Sequence, residues 1–561
     1  MAGTATLRAA VRHSAGRTLA LAAATTASTG AALLLPAALG HALDLLLAAR
    51  HDAGRWVLLC AALITACAVL DAAGDLLTAT TTSRTTAWLR RDALDHALAA
   101  GPRTTARIPA GDLVTRLVGN AAHAGAAPAS LAGTLPAVAG PLGGIVALGL
   151  IDYRLALVFL AGAPLLALLL RAFARASADT LTGYQRDQGE LAGRLMEAAG
   201  GVRTIAAAGT AARERDRILE PLAGLSRHGH RMWRVQGRST AQAGVLVPLL
   251  QIAVLAVAGL RLAQEALSVG DVLAAARYAA LATGVGALVG RVNTLVHSRT
   301  AAARIAEVRS LEPLAYGTRR CRRDGDGTLR LRGVSVERGG RRVLQDIDLD
   351  VPGGTTTAVV GRSGTGKSLL AAVAGRLTDP TTGDVTLDGI PLRELAHDEL
   401  RRAVGYAFER PALLGETIGD TIALGAYAPP PGKVVAAARA ACADDFVRRL
   451  PAGYATRCDR APLSGGEAQR LGLARAFAHA GRVLVLDDAT SSLDSVTERR
   501  VGAALLDGTV AAPTRLVIAH RSATAARADR VAWLDDGRVR AVGTHEELWQ
   551  REREYRAVFG G

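Results

Sequence analysis

Gly361-Arg362-Ser363-Gly364-Thr365-Gly366-Lys367-Ser368 decides how this chain is read. The stretch fits G-x-x-x-x-G-K-[ST] in the context that motif needs: 355–360 reads as a β-strand and 369–375 as a helix. Glycines let backbone N–H groups converge on phosphate oxygens, and the helix N-terminus adds a positive dipole. Lys367 would reach the β- and γ-phosphates of a nucleotide, and Ser368 would hold Mg2+. The lysine carries extra weight. Of 66 Lys and Arg residues in 561, only Lys367 and Lys433 are Lys. A chain that writes Arg almost everywhere has kept a lysine where the motif demands one.

Working outward, 482–486 is a hydrophobic strand ending in Asp487, suited to Mg2+ through a bound water. Leu463-Ser464-Gly465-Gly466-Glu467 leads into a helix over 468–478 and offers a hydroxyl and backbone donors to a second anion. Asp494 closes Ser491-Ser492-Leu493-Asp494, and a strand at 516–519 ends in His520. Short β-branched runs alternate with helices through 328–561, an α/β pattern. The preceding 309–327, with Pro313, Gly317, Gly325 and the basic run from Arg319 to Arg323, reads as a linker.

Residues 1–308 have another texture. Half of the whole chain is hydrophobic, which excludes disorder, and five cysteines in 561 residues make no disulfide framework. Long charge-free runs predict six transmembrane helices, near 18–48, 55–80, 127–151, 154–174, 240–263 and 270–295. The first run is too long for a signal-peptide core and reads as a retained span. Arg8, Arg12 and Arg17 precede it, six Arg lie from Arg84 to Arg116, and twelve from Arg171 to Arg238. The other side of the membrane has only Arg50, Arg55, Arg154 and Arg261. Both termini are therefore expected in the cytoplasm, at the plasma membrane. The formal charge of +16 thus reads as a topology signal, with no nucleic-acid partner expected. The two long cytoplasmic connections read as helix over 88–99 and 189–218.

Taken together these residues resemble an ABC half-transporter of the exporter type, and the resemblance covers nearly the whole chain. The P-loop, the Leu463–Glu467 signature, the Walker B Asp487, the D-loop Asp494 and the switch His520 stand in family order. Residues 110–117 resemble the family's first cytoplasmic loop, 268–272 the start of its sixth span and 303–307 the exit from it. The resemblance implies a six-helix transmembrane domain over 1–308 and an α/β nucleotide-binding domain over 328–561. It also implies pairing with a second half and two ATPs with Mg2+ between the nucleotide-binding domains. Each ATP would be held by one half's P-loop and the other's signature, so Ser464 would serve the partner's ATP. Coupling helices are expected near 109–119 and 201–211.

The sequence departs from the family pattern at four places. The residue after Asp487 is usually a catalytic Glu and is here Asp488, whose carboxylate retracts by roughly 1 Å; such misplacement can cost about 10²-fold in rate. The Q-loop Gln corresponds to Glu409, which keeps an oxygen for Mg2+ but loses an amide donor. The aromatic that stacks on adenine falls at Arg338, whose guanidinium plane can also stack. The loop 456–462 before the signature is shorter than the family's. These changes point to a hydrolysis-poor site in a heterodimer, against a homodimer that hydrolyses normally.

Cargo is poorly encoded. The spans are Ala-, Leu-, Gly- and Val-rich, and no stacking cage is visible in a chain with 3% aromatics. Asp71 and Asp75 share a helix face near the inner end of span two and read as structural before cation-binding. The expected function is ATP-driven export of a small molecule, drug-like compound, lipid or peptide. Import of metal–chelator complexes through the same fold, or a regulatory ATP-gated membrane protein, are the alternatives.

Overall fold

The computed structural model describes residues 2–284, 286–506, 510 and 513–559. Val285, through which the predicted sixth span runs, lies outside them. Packing divides the chain into two compact units, Met1–Ala97 with Ile108–Leu311 and Leu98–Arg107 with Glu312–Gly561.

The first unit is helical. Four stretches among the described residues are long and apolar enough to cross a membrane: Ala15–Leu47, Ala53–Ala100, Ala110–Ile151 and Gly244–Ala263. A shorter apolar stretch, Tyr153–Leu165, opens the 48-residue helix Tyr153–Gly200. Pro36, Pro141 and Pro248 lie inside continuous helices. The expected helix over 189–218 is broken twice. Gly201 ends the first piece, and Gly209, at φ +65°, ends the short helix Val202–Ala208 in the left-handed conformation glycine adopts without strain. That short helix stands where the resemblance puts a coupling helix. The sixth predicted span is also divided, into Val269–Ala282 and Gly286–Arg309, where Gly284 weakens helix propagation.

Two polar knots hold the first unit across long sequence distances. Arg116 is buried and pairs with Asp112 at 2.8 Å and Glu307 at 2.6 Å, and it also donates to the Arg304 carbonyl at 2.8 Å. It joins the two segments, 110–117 and 303–307, that sequence reading singled out separately. At the other end of the spans, Asp44 accepts from the Ser268 hydroxyl at 2.5 Å and the Gly270 N–H at 2.8 Å. Gly40 packs so closely on Gly270 that a Cβ there would sit 2.5 Å from its carbonyl oxygen.

The second unit is α/β. Its strands are β1 (Leu329–Arg338), β2 (Arg341–Val351), β3 (Thr356–Val360), β4 (Thr382–Leu387), β5 (Ile390–Pro391), β6 (Val404–Phe408), β7 (Val483–Asp487), β8 (Thr514–Ile518), β9 (Arg530–Asp535) and β10 (Arg538–Gly543). An antiparallel sheet runs β2-β1-β4-β5, and a six-stranded sheet runs β10-β9-β3-β8-β7-β6. In the larger sheet β9, β3, β8, β7 and β6 are parallel neighbours. β7 and β8 are buried on both faces, which is why they read as continuous apolar runs. The stretch read as a linker lies along this unit: Gly317 N–H donates to the Leu395 carbonyl and Arg319 pairs with Glu394 at 2.8 Å. The segment Leu98–Arg107 also belongs to this unit, where Arg103 lies 3.6 Å from Asp379.

Candidate active site

Parallel β3 and β7 end their runs at the same sheet edge, because β8 pairs with both. Functional groups gather at the carboxyl ends of such strands. After β3, Gly364 and Gly366 take φ +84° and +97°, and Lys367 then opens the helix Lys367–Ala374. The Lys367 ammonium donates to the carbonyls of Gly361 at 2.7 Å and Arg362 at 2.8 Å. Lys367 is buried, and this pushes its pKa down, opposed by the charges of Asp488 and Asp487.

Asp487 ends β7. The Tyr406 hydroxyl, one strand over on β6, donates to its Oδ2 at 3.3 Å, and the nearby Ser368 hydroxyl favours the ionised carboxylate. Its Oδ1 is buried with no partner among the described residues. Burial raises the Asp487 pKa, as it does the Tyr406 hydroxyl's. Asp488 sits at φ +52°, a left-handed conformation that Asp tolerates better than most side chains. Its Oδ2 lies 3.6 Å from His520 Nε2, which follows β8. Burial raises its pKa too; His520 opposes this, and Glu409 and Asp487 add to it as like charges. The structure thus brings Lys367, Ser368, Asp487, Asp488 and His520 together, with Glu409 close enough to be felt.

Glu409 follows β6, half-exposed, its carboxylate 3.7 Å from the Arg410 guanidinium. Arg338 stands apart from this cluster, exposed at the end of β1 and opposite Arg341 in the antiparallel sheet. Ser464 caps the signature helix Gly465–Ala478 in a capping box. Its hydroxyl accepts from the Glu467 N–H at 3.3 Å, and the Glu467 carboxylate accepts from the Ser464 N–H at 2.9 Å. Leu463 is half-buried against the helical core, while Ser464 and Gly465 are exposed. Asp494 caps Ser495–Leu506, and hydrogen bonds from Thr497 and the Val496 N–H hold its pKa down, at about 2.

Sequence reading missed three residues. Tyr406 steadies Asp487. Arg521 pairs with the buried Glu498 and donates to the Ser491 and Leu493 carbonyls, fixing the loop before Asp494. Gln469 is buried and contacts both Asp488 and Glu409 through their backbones. A buried-polar signal was present only for Gln469, which lies five residues into the signature helix on its apolar side.

The residues fit a magnesium ion. A buried, unpartnered carboxylate oxygen beside a serine hydroxyl is the hard oxygen donor set that ion takes. Asp487 and Ser368 would hold it, with Glu409 at the rim, and it would supply charge neutralisation between phosphate oxygens. Among the described residues, no three His, Cys, Asp or Glu converge on a metal site.

In the first unit, Asp71 accepts the Ser28 hydroxyl at 2.5 Å, tying the helix Ala15–Leu47 to the helix Ala53–Ala100. The sequence showed no stacking cage, yet the structure gathers His41, Trp56 and Tyr278 around a cavity of about 670 Å³ that Asp44 and Asp271 also border.

A phosphate-binding loop, a buried carboxylate pair and an anion-ready helix start define a P-loop ATPase, carried on a chain with membrane-crossing helices. The family described as ABC transporter transmembrane region matches residues 18–285, and that described as ABC transporter matches 344–491. The ABC transporter ATP-binding protein RamA of Streptomyces coelicolor is 54% identical over 95% of this chain and 84% of its own length. An ATP-dependent lipid A-core flippase of Chromohalobacter salexigens is 31% identical over 74% of this chain and 73% of its own length. A multidrug efflux ATP-binding/permease protein of Mycobacterium tuberculosis is 33% identical over 84% of this chain, which spans 40% of that relative. A solved bacterial Atm1-family ABC exporter with ATP bound shares the fold at a TM-score of 0.80, with 22% identity over 98% of each chain.

The chain belongs to the ABC transporter family. It is a half-transporter of the exporter fold, a helical transmembrane domain followed by an α/β nucleotide-binding domain, and it couples ATP hydrolysis to transport. A half-transporter works with a second ABC half.

Proposed function

We propose that this chain is the hydrolysis-poor half of a heterodimeric exporter, with both termini in the cytoplasm. The observation that carries the reading is Asp488, the shorter carboxylate in the place of the usual Glu, ending 3.6 Å from His520. Glu409 and Arg338, at the Q-loop and adenine positions, add to it. Ser464 and its glycines keep an open helix start for an ATP whose P-loop lies on the other half. The Asp488 carboxylate orients the attacking water at this chain's own site, His520 steadies that carboxylate, and Lys367 neutralises phosphate charge. Ser368, Asp487 and Glu409 would hold the magnesium that accompanies the nucleotide and neutralises phosphate charge.

The cargo is a small molecule, drug-like compound, lipid or peptide. The relatives support this breadth, since one is named a multidrug efflux protein and another a lipid A-core flippase. The test is purification of the full chain alone in a lipid nanodisc. Slow phosphate release that rises on adding the second half supports the heterodimer; brisk ATPase activity by the chain alone sinks it.

A further inference from the structure

Gln469 is only 1% exposed, in the signature helix five residues beyond Ser464. Its amide meets four groups from three segments. Nε2 lies 3.1 Å from the Glu409 carbonyl, 3.2 Å from the Asp488 carbonyl and 3.2 Å from the Ser491 hydroxyl. Oε1 accepts the Ser492 N–H at 2.9 Å. A backbone N–H can only donate, so this last bond fixes which end of the amide faces the carbonyls. Two amide hydrogens are shared among three acceptors, so no donor is idle.

The segments tied together have different partners. Glu409 and Asp488 belong to this chain's own nucleotide site. The signature helix serves the ATP held by the other half. Ser491 and Ser492 lead to Asp494, in a loop that Arg521 braces through the Ser491 and Leu493 carbonyls and the capped helix holds from its far end. Ser464 and Gln469 are about 7.5 Å apart along one helix, at roughly 1.5 Å rise per residue. The capping box at Ser464 keeps that first turn intact, so a shift of the helix start on capturing phosphate moves Gln469 with it. Asp488 is the residue best placed to feel the shift. Its backbone is already in the left-handed region, and its carbonyl is one of the amide's acceptors.

We propose that Gln469 is a positioning residue linking the two ATP sites: it makes the placement of Asp488 and Glu409 depend on what the signature helix holds. This rests on reading Lys367, Asp487 and Asp488 as the nucleotide site. Burial alone would require the amide to be satisfied; here the partners that satisfy it belong to the two segments of the nucleotide site and the loop that follows Asp488.

The experiment uses the transporter assembled from both full-length halves in nanodiscs. Gln469→Leu keeps the volume and removes the hydrogen bonds; Gln469→Glu keeps the shape and turns an oxygen toward two carbonyls. We expect affinity for a fluorescent ATP analogue within about twofold of the parent and a Hill coefficient for ATP falling toward one. An unchanged Hill coefficient, a parent transporter without cooperativity, or lost ATP affinity would overturn the proposal. Should Gln469→Leu fail to fold, Gln469→Glu carries the test, since its carboxylate can donate to neither carbonyl. It should lower cooperativity with binding intact, and parental cooperativity would count against the link. Lys367→Ala separates the two readings: it should abolish analogue binding, and retained binding would refute the site assignment and the link with it.

Discussion

Asp488→Glu sets two effects against each other. The substitution adds one methylene to a carboxylate that ends 3.6 Å from His520. If a shortfall of roughly 1 Å costs up to about 10²-fold, restoring the length lowers the barrier by up to about 2.7 kcal/mol, at 1.36 kcal/mol per tenfold. The backbone works the other way. Residue 488 is held at φ +52°, where Asp gains local hydrogen bonds that a longer side chain does not. The exchange should therefore cost roughly 1 kcal/mol of stability, a Tm lower by about 2–4 °C for a domain of this size. The assay is phosphate release by the assembled transporter, with thermal melting of the same samples. A faster, slightly less stable protein is expected. A variant that melts lower yet turns over no faster would show that carboxylate reach does not limit this site.

Two further outcomes test the framework. Arg116→Met strands Asp112 and Glu307, which are partly solvated, so the loss should fall below the roughly 3–5 kcal/mol of a broken buried pair, at about 2 kcal/mol, read as a lower Tm of the full chain; an unchanged Tm would mean the knot contributes nothing. The base at Asp488 must be ionised, and burial raises its pKa, so the acid limb of kcat/KM should lie above the ordinary carboxylate value of 3.8. A limb at or below that value would contradict the burial. By linkage the same burial favours the protonated fold, a stability that is full below the ordinary pKa and lost as pH rises through the raised one.

The phosphate loop, Asp487 and the signature were legible because phosphate binding fixes residue types at fixed short spacings. Of the six expected spans, the four at 15–47, 53–100, 110–151 and 244–263 were legible because a bilayer demands long apolar runs. Gln469 and Tyr406 were not, since their partners lie 60 and 81 residues away and one of them is a backbone carbonyl that carries no residue code. The Arg116 knot joins positions 188 residues apart, so each end looked like an isolated local match. The breaks at Gly201 and Gly209 were hidden because neighbouring Ala, Leu and Arg all favour helix, and two glycines override them. The cavity walls escaped for a different reason: His41, Trp56 and Tyr278 come from three helices, and few aromatics overall says nothing about whether those few converge.

The contact between Gly40 and Gly270 acquires a meaning from the composition of the chain. In a sequence so rich in Ala and Gly, the two differ by a single methyl group. At Gly30, in the same helix as Gly40, a methyl would meet nothing within 4 Å, and alanine there should strengthen the helix by up to about 1 kcal/mol. Ten residues on, the same step drives a methyl into the carbonyl of the facing helix. Along a single span, then, the same glycine-to-alanine exchange changes sign, and the two glycines mark where the backbone itself forbids a methyl group.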